Sequence, residues 1–98
     1  MAPKFKQIVA RGGADKYAAV DTSGQVWESV IDFNDRKARW QQLSTGDMKL
    51  PIVSLTAKGE ILIAVDRDGH AWRQGNSGAL ATRGIYEWER LDFELAER

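Results

Sequence analysis

Ala19-Val20-Asp21-Thr22-Ser23-Gly24-Gln25-Val26-Trp27 returns as Ala64-Val65-Asp66-Arg67-Asp68-Gly69-His70-Ala71-Trp72, with Trp27 and Trp72 45 positions apart. Ala, Val, Asp, Gly and Trp coincide without a gap. These residue types carry turn and packing chemistry, so their recurrence marks a duplicated structural unit. Working outward, Ile8-Val9 matches Ile52-Val53 at an offset of 44, and Trp40-Gln41-Gln42-Leu43 matches Trp88-Glu89-Arg90-Leu91 at an offset of 48. The offset drifts between predicted elements and not within them, as it does when turns change length.

Each copy divides into four short apolar or alternating runs separated by turn residues, which predicts an all-β chain. The first copy gives strands at Phe5 to Ala10, Lys16 to Val20, Gln25 to Val30 and Arg39 to Leu43. The second gives Ile52 to Thr56, Ile61 to Val65, Ala71 to Gln74 and Tyr86 to Leu91. Gly12-Gly13-Ala14-Asp15 and Ala57-Lys58-Gly59-Glu60 close the first hairpins. Asp21 to Gly24 and Asp66 to Gly69 close the second, with Asp capping the turn and Gly in the left-handed position. The third connections are longer, and Gly75 to Gly84 is the segment that differs most between the copies. The 98 residues thus form one domain of two repeats, about 5–43 and 50–91, with a short C-terminal extension at 92–98. A chain of this size supports one hydrophobic core.

Ile61-Leu62-Ile63-Ala64-Val65 is apolar throughout, and Tyr17-Ala18-Ala19-Val20 resembles it. A strand without alternation needs cover on both faces. Trp40 and Leu43, like Trp88 and Leu91, are three apart and so point to opposite faces of a regular strand, which again requires cover on both sides. Two tandem four-stranded antiparallel units packed against like units satisfy this pattern. The alternative is one eight-stranded barrel or sandwich with internal pseudo-symmetry.

Val-Asp-x-Ser/Asp-Gly-x-x-Trp followed by Trp-x-x-Leu, one copy per roughly 45 residues, resembles the β-propeller blade repeats of tectonins and tachylectins and, more loosely, RCC1 repeats. It departs from the Asp-box of sialidase-type blades, because Thr22 and Arg67 stand where that pattern has Asp. The resemblance implies two blades, too few to close a ring, and so completion by homo-oligomerisation. A homotrimer of six blades, as in small two-blade fucose-binding lectins, is the first expectation and a homodimer the second.

The same resemblance implies lectin-like carbohydrate recognition. A sugar site needs a flat apolar surface beside polar groups; Trp27 with Glu28 and Trp72 with Arg73 supply both, once per repeat. Competing with this is a protein-protein interaction or structural assembly role, in which the four tryptophans pack and the loop from Gly75 to Gly84 docks a partner protein. Enzymatic chemistry is not expected, and no cofactor is. His70 is the single histidine and cysteine is absent, so a transition-metal site or a His-dependent nucleophile would have to be assembled from several chains. Asp66-Arg67-Asp68-Gly69 opens like a calcium loop, but Ser77 occupies the place of the closing Glu. The glycine-spaced Gly75 to Gly84 stretch lacks the Gly-Lys-Ser/Thr of a phosphate loop. Glu87, Glu89, Asp92 and Glu94 alternate with apolar residues as on a half-exposed strand.

Fourteen basic residues balance fourteen acidic ones, so no nucleic-acid or membrane footprint is expected. Lys37, Arg39, Arg73 and Arg83 then belong to an ordinary charged surface. The basic, mixed stretch from Met1 to Arg11 carries no apolar run of signal-peptide length, and a cytoplasmic location is the expectation.

Overall fold

The computed structural model describes residues 3–12, 16–32, 36–75 and 87–92. Its elements are β1 (Phe5–Ala10), β2 (Lys16–Asp21), β3 (Val26–Asp32), β4 (Lys37–Gln42), β5 (Ser54–Lys58), β6 (Ile61–Val65), β7 (Ala71–Gln74) and β8 (Trp88–Arg90). They form two antiparallel sheets of four strands, ordered β1-β2-β3-β4 and β5-β6-β7-β8, and not one closed barrel. Sheet 1 and sheet 2 are therefore the two tandem units. Residues 76–86, which hold most of the long second-repeat loop and Tyr86, and residues 93–98 of the C-terminal extension lie outside the described residues, as do residues 13–15 and 33–35 in two of the turns. Among the described residues no helix is long and apolar enough to cross a membrane.

Three strand predictions need correction, the simplest being that the third strand runs on to Asp32 and does not end at Val30. The fourth strand begins at Lys37, two residues earlier than expected, because Asp32 pairs with Lys37 and carries the β3–β4 ladder outward. The fifth begins at Ser54 and not at Ile52, because the Ile52 amide donates to the Gly24 carbonyl at 3.0 Å and is withdrawn from any ladder. This changes the repeat alignment as well. Ile8 faces Ala19 and Leu55 faces Ala64, so the residue equivalent to Ile8 is Leu55, not Ile52. The linker before β5 absorbs the difference, while the later equivalences of Trp27 with Trp72 and Trp40 with Trp88 stand on the ladder pairings.

Alternation along the strands sorts every side chain to one of two faces. In sheet 1 the inner face carries Val9, Ala18, Val20 and Val26; in sheet 2 it carries Leu55, Leu62, Ala64, Trp72 and Trp88. These residues, joined by Leu43, Met48 and Ile52, make up the hydrophobic core, so the core is the seam between the two sheets. Leu55 and Leu62 are almost wholly shielded from water, each worth about 2 kcal/mol by area burial. Ala18 and Ala64 are both fully buried, and these small residues sit where the sheets pack.

Candidate interaction surfaces

The repeated Asp and Trp form one local device. The Asp21 carboxylate accepts the Ser23 and Gln25 amides on Oδ1 and the Trp27 indole N–H on Oδ2, at 2.8–2.9 Å. Asp66 accepts the Asp68 and His70 amides and the Trp72 indole N–H in the same arrangement, and its Oδ2 also takes the Lys49 amide at 3.3 Å. Gly24 and Gly69 both sit at φ 83°, the left-handed geometry that lets the turn fold back on its Asp. Burial pushes the Asp21 carboxyl up, and the bonds from Trp27, Gln25 and Ser23 outweigh that and leave it below the usual carboxylate range. At Asp66 burial is likewise outweighed, by the His70 amide, the Trp72 indole and the amides of Lys49 and Asp68.

The two copies of this device differ in what lies over them. Trp72 and Asp66 are buried in the seam against sheet 1. Trp27 faces the other way, half-buried, with Phe5 edge-on at 6.5 Å and 77°. Phe5 also lies against Trp40, ring centroids 4.4 Å apart. The structure thus separates the four residues expected to form sugar sites. Glu28 lies on the inner face of sheet 1 and Arg73 on the outer face of sheet 2. Each is ion-paired, Glu28 with Arg11 at 3.0 Å and Arg73 with Glu89 at 3.4 Å.

Residues that the motif comparison did not single out hold the seam. Arg11, 6% exposed, donates through Nη1 to Glu28 Oε2 at 3.0 Å and to Gln74 Oε1 at 2.9 Å, and through Nε to the Glu60 carbonyl at 2.9 Å. One guanidinium therefore ties β1 to β3 and both to sheet 2. Gln7 acts as a substitute strand neighbour: its amide donates to the Leu55 carbonyl at 2.7 Å and accepts the Leu55 amide at 3.0 Å, covering part of the free edge of β5. The Gly12 amide donates to the Gly59 carbonyl at 2.8 Å, and the Trp88 indole N–H to the Ser44 carbonyl at 2.9 Å. No sequence signal points to these pairings, because Arg11 and Gln7 read as ordinary residues of a short basic strand. Arg11→Ala leaves Glu28 without its cation in the seam and is expected to cost about 3 kcal/mol. A urea titration checks this, with a lowered midpoint and an unchanged slope as the expected result.

Each sheet also has an outer face, away from the seam, whose apolar residues are mostly shielded from water only in part. Sheet 1 presents Ile8, Tyr17, Ala19, Trp27, Ser29 and Trp40; sheet 2 presents Thr56, Lys58, Ile61, Ile63, Val65 and Ala71, with Arg73 and Glu89 beside them. Ile8 is 52% exposed, and Ile61, Ile63 and Val65 are each half-buried. Along Ile61 to Val65 the seam-facing Leu62 and Ala64 are fully covered, whereas Ile61, Ile63 and Val65 on the other face are covered in part. Among the described residues the Ser29 hydroxyl is the buried side-chain polar atom without a partner, although Ser29 is only 1% exposed.

No protein-family model matches the chain, and a search of curated proteins finds no relative. What fold and surfaces define is a class: an all-β protein of two tandem four-stranded antiparallel sheets. Within that class the particular feature of this chain is that, among the described residues, each sheet carries apolar side chains on its outer face that are shielded only in part.

Proposed function

We propose that this chain is a non-enzymatic assembly subunit whose first partner is itself, its two sheets acting as propeller blades completed by further chains. The observation that carries this reading is the outer face of sheet 2, where Ile61, Ile63 and Val65 lie around Ala71 and each is shielded from water only in part. A contiguous apolar face that is only partly covered is an association surface or a liability. The lectin-like alternative, through Trp27, Glu28, Trp72 and Arg73, has less behind it. Trp72 is buried, both indole N–H groups are spent on aspartates, and Glu28 and Arg73 are already ion-paired. Trp27 alone keeps part of a ring face for a ligand.

Absolute mass by light scattering on a size-exclusion column, at several concentrations, tests the reading. A stable mass of three chains is the expected result, a mass of two the second form of the same assembly. A single-chain mass at every concentration overturns it.

A further inference from the structure

The seam inside the chain specifies which faces meet, because each half of it has a repeat equivalent on an outer face. Ladder pairing aligns the inner face of sheet 2 with the outer face of sheet 1: Leu55 with Ile8, Ala64 with Ala19, Leu62 with Tyr17, Trp72 with Trp27, Gln74 with Ser29 and Trp88 with Trp40. The inner face of sheet 1 aligns with the outer face of sheet 2 in the same way: Ala18 with Ile63, Val20 with Val65, Val26 with Ala71 and Glu28 with Arg73. Seam positions thus recur on the outer faces, where Ile8 is exposed and Tyr17, Trp27, Trp40, Ile63, Val65 and Ala71 are half-buried, while Ala19 and Ser29 are already buried within the chain.

Resting on the assembly reading above, we infer that copies of this chain join head to tail, the outer face of sheet 2 of one copy against the outer face of sheet 1 of the next. The contact repeats the internal seam. It is heterologous, with two different surfaces per junction, and not a self-complementary pairing of like faces.

Three polar observations fit this junction. The Trp88 indole donates to the Ser44 carbonyl across the seam, whereas its equivalent, the Trp40 indole, finds no acceptor among the described residues. Repeating the seam places the Asp92 carbonyl of the preceding copy there. Gln74, bonded to Arg11 across the seam, is replaced in the other repeat by Ser29, whose buried hydroxyl lacks a partner. The residue equivalent to Arg11 is Lys58, exposed at the end of β5 on the side that would face the adjoining copy. Gly12 donates to Gly59 across the seam, and these two are themselves repeat equivalents, so the Gly59 amide of one copy meets the Gly12 carbonyl of the next.

A fourth observation is steric. A Cβ on Gly24 overlaps Pro51 of the linker that leads into sheet 2, whereas a Cβ on Gly69, its equivalent, meets nothing within 4 Å. The space beside Gly69 is where the chain leading into β1 of the next copy lies.

Two single-face variants test the direction of pairing. Ile8→Glu places a charge on the outer face of sheet 1, and Ile63→Glu places one on the outer face of sheet 2. Each disables one half of every junction by burying an unpaired carboxylate. Each variant alone is expected to run as a single chain by light scattering, with self-association weakened about a hundredfold or more. Their equimolar mixture recovers one intact junction and runs as a 1:1 dimer. Like-with-like pairing gives a different pattern: one variant alone still dimerises, and that result, or a mixture that stays monomeric, overturns the inference while wild-type oligomers leave the assembly reading intact. A monomeric wild type overturns both. Far-ultraviolet circular dichroism confirms that each variant is folded. Thr56→Glu, exposed and beside Ile63 on the same face, replaces Ile63→Glu should that variant unfold, with the same pattern expected.

Discussion

Asp66→Ala is expected to cost about 4 kcal/mol, enough to unfold much of the population of a domain this size. The substitution strips the acceptor from the Trp72 indole and from the amides of Asp68, His70 and Lys49 at once, inside the seam. Each buried donor left without a partner costs about 1–3 kcal/mol, partly offset where water can enter. Asp21→Ala loses a similar set, but Trp27 is only half-buried and its turn is more open to solvent. About 2 kcal/mol is expected there. The sign of the pH dependence follows from the lowered carboxyl values. A depressed folded-state value stabilises fully above the unfolded value of about 3.9 and loses that contribution as pH falls through the folded value. Above about pH 5 these two groups add no slope, and stability should fall below about pH 4. Asp66→Asn should be destabilised at neutral pH and converge toward the wild type in acid. Chemical denaturation from about pH 2.5 to 7 checks this, and parallel curves for the two proteins would show that the carboxylate charge is not what the site uses.

Gly24→Ala and Gly69→Ala should differ sharply although both replace a glycine at φ 83°. The backbone cost is common to both, about 1 kcal/mol for a non-glycine residue in the left-handed region. At Gly69 that is the whole effect in a single chain, since the added methyl meets open space. At Gly24 the methyl overlaps Pro51 and comes within 2.8 Å of the Ile52 amide nitrogen. Relief requires the linker to move and loosens the Ile52 to Gly24 hydrogen bond that starts sheet 2 in its register. Overpacking of this kind adds about 1–3 kcal/mol, so about 3–4 kcal/mol is expected in all. Thermal or urea unfolding at a concentration where the chain is monomeric measures the difference. Equal effects at the two positions would mean that the linker yields without cost.

The Asp-to-Gly turns were legible because they are local. An Asp four residues from the amide it caps, and a Gly at the reversal, settle the geometry of Asp21 to Gln25 without any distant partner. The same locality made the eight strands readable to within a few residues. What Asp21 and Asp66 do with their second oxygen was not readable, since an indole six residues away is reached only once β2 and β3, or β6 and β7, have paired in the observed register.

By itself the sequence determined an all-β chain of two repeats, the order of their strands and the chemistry of the turns, because a repeat is visible as residue identity and strand patterning has a period of two. The tertiary structure alone decided which face of each repeat is buried. Trp27 and Trp72 occupy equivalent positions, yet one is outside the seam and the other in it, a distinction that no feature of their shared motif encodes. It alone decided, too, that Arg11 and Gln7 hold the sheets together, through partners 48 to 63 residues away. Those contacts depend on where the linker turns, and the linker's path is held by the close approach of Gly24 to Pro51 and Ile52, by the hydrogen bonds of Lys49 to Asp66 and Arg67, and by Met48 and Ile52 in the core. Periodicity carries local structure, whereas the choice between two nearly equivalent faces rests on packing between residues far apart in the chain.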